Sequence, residues 1–123
     1  MKTVYIGLGS NLSNPRQQLK KAIVALKNLP ASQFIGCSPY YRSQALLSPE
    51  NPTPQGDYFN AVVRLSTTLS PLGLLDALQT IENRQGRKRQ VLRWSARTLD
   101  LDILLYEKQC LQHPRLTLPL PRI

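Results

Sequence analysis

Apolar residues recur along this chain with two different periods, and the switches between them predict its elements. Thr3 to Leu8 (TVYIGL) is β-branched, aromatic and apolar, the make-up of a strand. Gly9-Ser10-Asn11 breaks that run. Asn14-Pro15 then has the form of an N-cap followed by proline at the first helical position. Leu19, Ala22, Ile23 and Leu26 follow at helical spacing with Lys20, Lys21 and Lys27 outside them, so a first helix is predicted from about Pro15 to Leu29. A second strand is predicted over Gln33 to Ser43. Leu47 to Gly56 carries Pro49, Pro52, Pro54 and Gly56 and is a loop. Tyr58 to Leu65 (YFNAVVRL) alternates as a strand does. Ser70-Pro71 repeats the cap-and-proline signal, and Leu74, Leu75, Leu78, Ile81 and Glu82 carry a second helix to near Gly86. Leu99 to Tyr106 (LDLDILLY) is the last clear strand; Gln109 to Ile123 has no assignable pattern. Strand, helix, strand, strand, helix, strand is the order of an α+β, ferredoxin-like βαββαβ fold, an antiparallel sheet with both helices on one face.

Composition bounds this picture without changing it. The 123 residues predict one domain, 1–123, with 41% hydrophobic and 19% charged residues, ordinary globular usage. Cys37 and Cys110 are far apart in sequence and form no C-x-x-C pair, so free thiols in a reducing compartment are expected. No apolar run approaches the roughly 18 residues of a membrane span. The N-terminus leads straight into a strand with no signal-peptide pattern, and a cytoplasmic location is the expectation.

Charge does change the picture. The formal net charge is +9, which favours an anionic partner. Arg84, Arg87, Lys88, Arg89, Arg93 and Arg97 fall in one stretch that contains no acidic residue. Directly after it comes Asp100-Leu101-Asp102. Side chains alternate faces along a strand, so the two carboxylates project together while Leu101 and Ile103 face the other way. Two such carboxylates repel unless a positive group lies between them. Mg²⁺ is a hard cation that takes one or two carboxylates together with phosphate oxygens. Guanidinium groups grip phosphates bidentately and stay charged at any working pH. Acids to hold metal and bases to hold phosphate thus occur side by side, the combination that phosphoryl transfer needs. The bland alternative is one solvated aspartate, one paired with arginine, and a solvated basic loop. Trp94, within the basic stretch, either packs the loop down or stacks on a base.

Tyr58 and Asn60 are two apart on a strand and share a face. A ring for stacking beside an amide for paired hydrogen bonds suits a planar heterocycle, and a core tyrosine beside an edge asparagine fits the pattern equally. Gly7-Leu8-Gly9-Ser10 lacks the G-K-[S/T] ending of a P-loop. His113, the single histidine, precedes Pro114 and reads as a surface residue, so neither a Ser-His-Asp triad nor a zinc site has support.

Taken together, YIGLGSNL, SPYYRS, DYFNAVVRL, LLDALQTIENRQGRKR and RWSARTLDLDILLY resemble the 6-hydroxymethyl-7,8-dihydropterin pyrophosphokinase family of folate biosynthesis over nearly the whole chain. The resemblance implies transfer of the β,γ-pyrophosphate of ATP to the pterin's hydroxymethyl group with release of AMP. It implies that Asp100 and Asp102 hold two Mg²⁺ ions and that Arg87 and Arg97 grip phosphates and stabilise the charge of the transfer. Arg89 lies on the same loop, Trp94 closes over the site, and Gln79, Glu82, Ile103, Arg115 and Thr117 line the ATP pocket. Tyr58 stacks on the pterin and Asn60 hydrogen-bonds it, with backbone groups from Ser43 to Leu46 helping. The implied partners are ATP and a pterin, with a monomeric protein and no nucleic acid or membrane. The chain is shorter at its C-terminus than is usual for the family. Two other readings stay open on the sequence: a truncated or degenerate relative that binds ATP or pterin without efficient turnover, and a basic nucleic-acid-binding module. The second lacks the sheet aromatics of an RNA-recognition motif.

Overall fold

A computed structural model of the protein describes residues 1–11, 14–43, 58–85 and 99–121. Its elements run β1 (Lys2–Ser10), α1 (Pro15–Lys27), β2 (Ser32–Cys37), β3 (Tyr41–Ser43), β4 (Tyr58–Thr67), α2 (Pro71–Arg84), β5 (Asp100–Tyr106), β6 (Leu111–His113) and β7 (Leu116–Leu118). The main sheet is antiparallel in the order β2-β4-β1-β5, with β3 also on β4. This is the expected ferredoxin-like arrangement.

Alternation explains the layers. Val4, Ile6 and Leu8 of β1, Val63 and Leu65 of β4, and Leu101 and Ile103 of β5 are all buried and join one core. Leu19, Ala22 and Leu26 of α1 and Leu74, Leu78 and Ile81 of α2 meet them from the helical side. The residues between these on the strands therefore face away from both helices. Ser70 caps α2 as expected, its side chain accepting the Gly73 N–H at 3.1 Å. Asn14 occupies the N-cap position of α1 without a side-chain bond, at φ 62°, a left-handed conformation that asparagine tolerates.

Three elements differ from expectation. The predicted strand from Gln33 to Ser43 is two strands laid along the same edge of β4, because Pro39 has no N–H to give the ladder. Ser38 holds the gap: its N–H donates to the Val62 carbonyl at 2.8 Å and its hydroxyl accepts the Val62 N–H at 2.9 Å. Strand β1 continues through Gly9 to Ser10 instead of stopping at Leu8, since it is paired on both sides there, Gly9 with Asn60 and with Asp100. The unassigned tail forms the β6–β7 hairpin, which buries Leu116 and Leu118 against the core. Among the described residues no helix is long and apolar enough to cross a membrane.

Candidate active site

The helix-free face of the sheet collects several of the candidate residues. Asp100 and Asp102 alternate with buried Leu101 and Ile103, so both carboxylates lie on that face, Asp102 the more exposed. Tyr58 and Asn60 reach the same face from β4. They stand out of phase with buried Ala61, Val63 and Leu65, and they are the side-chain neighbours of the position above Gly9. The register ties the two groups together. Tyr41, Asn60, Gly9 and Asp100 form one row across four strands, and Val62, Gly7 and Asp102 form the row beside it. Asn60 and Asp100 are two strands apart, about 10 Å between backbones. The Tyr58–Asn60 pair and the carboxylate pair thus flank β1, with glycine between them.

The Leu104 side chain covers Gly7, while Gly9 lies beneath the Asn60 carboxamide. Asn60 Nδ2 reaches the Tyr41 carbonyl at 3.5 Å. The Ser43 backbone stands opposite Tyr58.

A second group lies where α2 and the β6–β7 hairpin meet. Arg115 donates from Nη2 to Asp76 Oδ1 at 2.5 Å and to Gln79 Oε1 at 3.3 Å. Thr117 faces outward on β7 between buried Leu116 and Leu118. Two of the residues expected to line a nucleotide pocket, Gln79 and Arg115, therefore touch one another. Asp76, which the sequence reading did not single out, holds the arginine; its place one turn before Gln79 on α2 was the available signal. His113 is exposed and its Nδ1 accepts the Arg115 N–H at 3.1 Å, so its work is in the turn.

Two of the candidate residues sit deeper than a ligand-lining role would place them. Glu82 is 4% exposed, and its Oε2 accepts the Leu101 N–H at 2.7 Å. The Ile103 side chain is 1% exposed in the core. Because Leu101 donates away from β1, its pair with Leu8 is a non-hydrogen-bonded one, and two residues on, the Ile103 backbone also faces the outer edge of β5. What Ile103 offers a ligand is backbone.

Arg87, Arg89, Trp94, Arg97 and Leu46 lie outside the described residues. Gln85 donates from Nε2 to the Gln18 carbonyl at 3.0 Å and to its Oε1 at 2.9 Å, tying the end of α2 to α1. Leu99 at the return is fully buried. The Glu82–Leu101 bond joins the end of α2 to the start of β5. Among the described residues no three His, Cys, Asp or Glu side chains converge. The donor set on β5 is two carboxylates, which fits a hard cation whose other ligands come from phosphate and water. Partial burial pushes the Cys37 thiol up, a shift opposed in part by the Lys27 charge.

Comparison with known proteins places the chain in a family. The family model described as 7,8-dihydro-6-hydroxymethylpterin-pyrophosphokinase matches residues 5–123. The chain is 50% identical over 119 residues to the 2-amino-4-hydroxy-6-hydroxymethyldihydropteridine pyrophosphokinase of Haemophilus influenzae, covering 97% of this chain and 71% of that protein. It is 49% identical over 119 residues to the Pseudomonas aeruginosa protein of the same name, covering 97% and 70%. To that of Pseudomonas putida it is 51% identical over 115 residues, covering 94% and 91%. With a match along nearly its whole length and half its residues shared with named members, this chain belongs to the 7,8-dihydro-6-hydroxymethylpterin-pyrophosphokinase family.

Proposed function

We propose that this protein transfers the β,γ-pyrophosphate of ATP to the hydroxymethyl group of 6-hydroxymethyl-7,8-dihydropterin. The observation that carries the reading is the single face on which Tyr58 and Asn60 stand across Gly9 from Asp100 and Asp102. A pterin held by the first pair extends its hydroxymethyl arm across β1 toward phosphates held at the second. In the reaction the pterin's hydroxyl oxygen bonds to the β-phosphorus of ATP. The bond from that phosphorus to the oxygen bridging it to the α-phosphorus breaks, AMP leaves with that oxygen, and the hydroxyl proton passes to solvent.

Asp100 and Asp102 would hold two Mg²⁺ ions, which supply neutralisation of the triphosphate charge. Arg87 and Arg97 grip the transferring group, and Arg89 and Trp94 cover it. Gln79, Arg115 and Thr117 receive the nucleotide with the Ile103 backbone, while Glu82 supports β5 from behind. Tyr58 stacks on the pterin, Asn60 pairs with its edge, and the backbone from Ser43 to Leu46 completes that pocket. Both halves of the site come from one sheet of one chain, which supports a monomer acting on small molecules rather than on nucleic acid. The free thiols Cys37 and Cys110 fit a reducing cytoplasm.

The test is AMP formation from ATP and Mg²⁺, with and without the pterin. AMP in proportion to pterin supports the reading; pterin-independent AMP, or none from folded protein, overturns it. Tyr58→Ala removes one stacking face, by analogy with aromatic–base stacking worth about 1–3 kcal/mol. The pterin KM is expected to rise about tenfold to a hundredfold, with the ATP KM little changed. A rise confined to ATP would remove Tyr58 from the pterin site.

A further inference from the structure

Gly9 lies beneath the Asn60 carboxamide and beside Tyr58. Gly9 lies within β1 without a left-handed φ, so its backbone conformation does not demand glycine. The demand is for room. A Cβ at Gly9 would stand 3.2 Å from Asn60 Oδ1 and 3.8 Å from Tyr58 Cδ1. At Gly7, two residues along the same face, the atoms nearest a Cβ would be the terminal methyls and Cγ of Leu104, a flexible side chain. The two glycines are therefore not equivalent. Gly7 touches an aliphatic group that can swing, and Gly9 touches the carboxamide whose alignment the heterocycle reads.

We propose that Gly9 is a positioning residue for heterocycle specificity. The missing Cβ lets the Asn60 carboxamide lie flat across β1, with its amide reaching back toward the Tyr41 carbonyl and its oxygen over the glycine. An alanine there forces Oδ1 to move by a few tenths of an ångström or to rotate away. Paired hydrogen bonds weaken steeply with misalignment, so recognition of the heterocycle edge suffers before anything else. The effect belongs to the planar substrate and not to the nucleotide, because Asp100 stands on the opposite side of Gly9. This inference rests on the pterin reading of the site, and its test separates the two.

Pterin-dependent AMP release by the unaltered protein is measured first; its absence removes the pterin reading and this inference with it. Gly9→Ala is then expected to raise the pterin KM about tenfold, leaving kcat and the ATP KM within about twofold. Gly7→Ala is expected to leave the pterin KM unchanged. In an Asn60→Ser background, which withdraws the oxygen from the path of the Cβ, Gly9→Ala should add nothing further, a non-additivity that a double-mutant cycle reads. If Gly9→Ala alone does not fold, Asn60→Ser should restore folding to the double variant. An unchanged pterin KM in Gly9→Ala, full additivity with Asn60→Ser, or failure of that rescue overturns the proposal while leaving the pyrophosphokinase reading standing.

Discussion

Asp102→Asn is expected to lower pterin-dependent AMP release about a thousandfold in a protein that remains folded. The side chain is exposed, and it projects from β5 opposite to buried Leu101 and Ile103. Its replacement by an isosteric amide leaves the core untouched, and exposed substitutions of this kind typically change stability by no more than about 0.5 kcal/mol. What the amide cannot supply is negative charge beside Asp100. A hard divalent cation prefers anionic oxygen, and an amide oxygen is a much weaker ligand. Neutralising the triphosphate is the main demand of phosphoryl transfer, so the loss falls on kcat. Single-turnover AMP formation at saturating pterin, repeated over a range of Mg²⁺, checks this. Near-normal turnover at ordinary Mg²⁺ would remove the metal assignment from Asp102. A rate restored by raising Mg²⁺ would keep the assignment and show that affinity, not geometry, had been lost.

The contrast between aspartates and glycines shows what the chain discloses by itself. D-x-D on an alternating apolar strand is readable because period two fixes which side chains share a face, whatever the strand pairs with. The same rule placed Tyr58 with Asn60. That these two pairs stand side by side is not readable, because it depends on register between β4, β1 and β5, which local patterns do not encode. Gly9 shows the cost most clearly. Gly-Ser-Asn is a turn signal, and alone it ends a strand; paired on both sides, it continues one. The β6–β7 hairpin escaped for a different reason: strands of three residues carry too few positions for alternation to register. Pro39 was visible, yet its consequence, two short strands in place of one, followed only once β4 was seen to hold both. The resemblance to a known family supplied residue roles that no periodicity could, and the burial of Glu82 and Ile103 changes how two of those roles can be performed.

Glu82 is where that change has its largest consequence. Its carboxylate is buried and holds the N–H of the residue between the two aspartates. β5 is paired with β1 on one side only in the main sheet. On its other side, at Leu101, the Glu82 bond stands in for a neighbouring strand. The same bond joins the last turns of α2 to the start of β5. Glu82→Leu keeps the apolar bulk but leaves the Leu101 N–H without this acceptor. The expected cost is about 1–3 kcal/mol of stability, read from denaturant or thermal unfolding. The larger effect is on turnover. A displacement near 1 Å of groups that must be aligned can lower a rate about a hundredfold, so kcat for AMP release should fall by that order. Glu82→Gln retains a side-chain oxygen to accept the N–H and should keep kcat within a few-fold of the original. A direct contact between Glu82 and ATP predicts a different pattern: both substitutions would raise the ATP KM, the glutamine nearly as much as the leucine. A leucine variant that loses stability but turns over normally would mean that the strand edge holds its aspartates without this anchor.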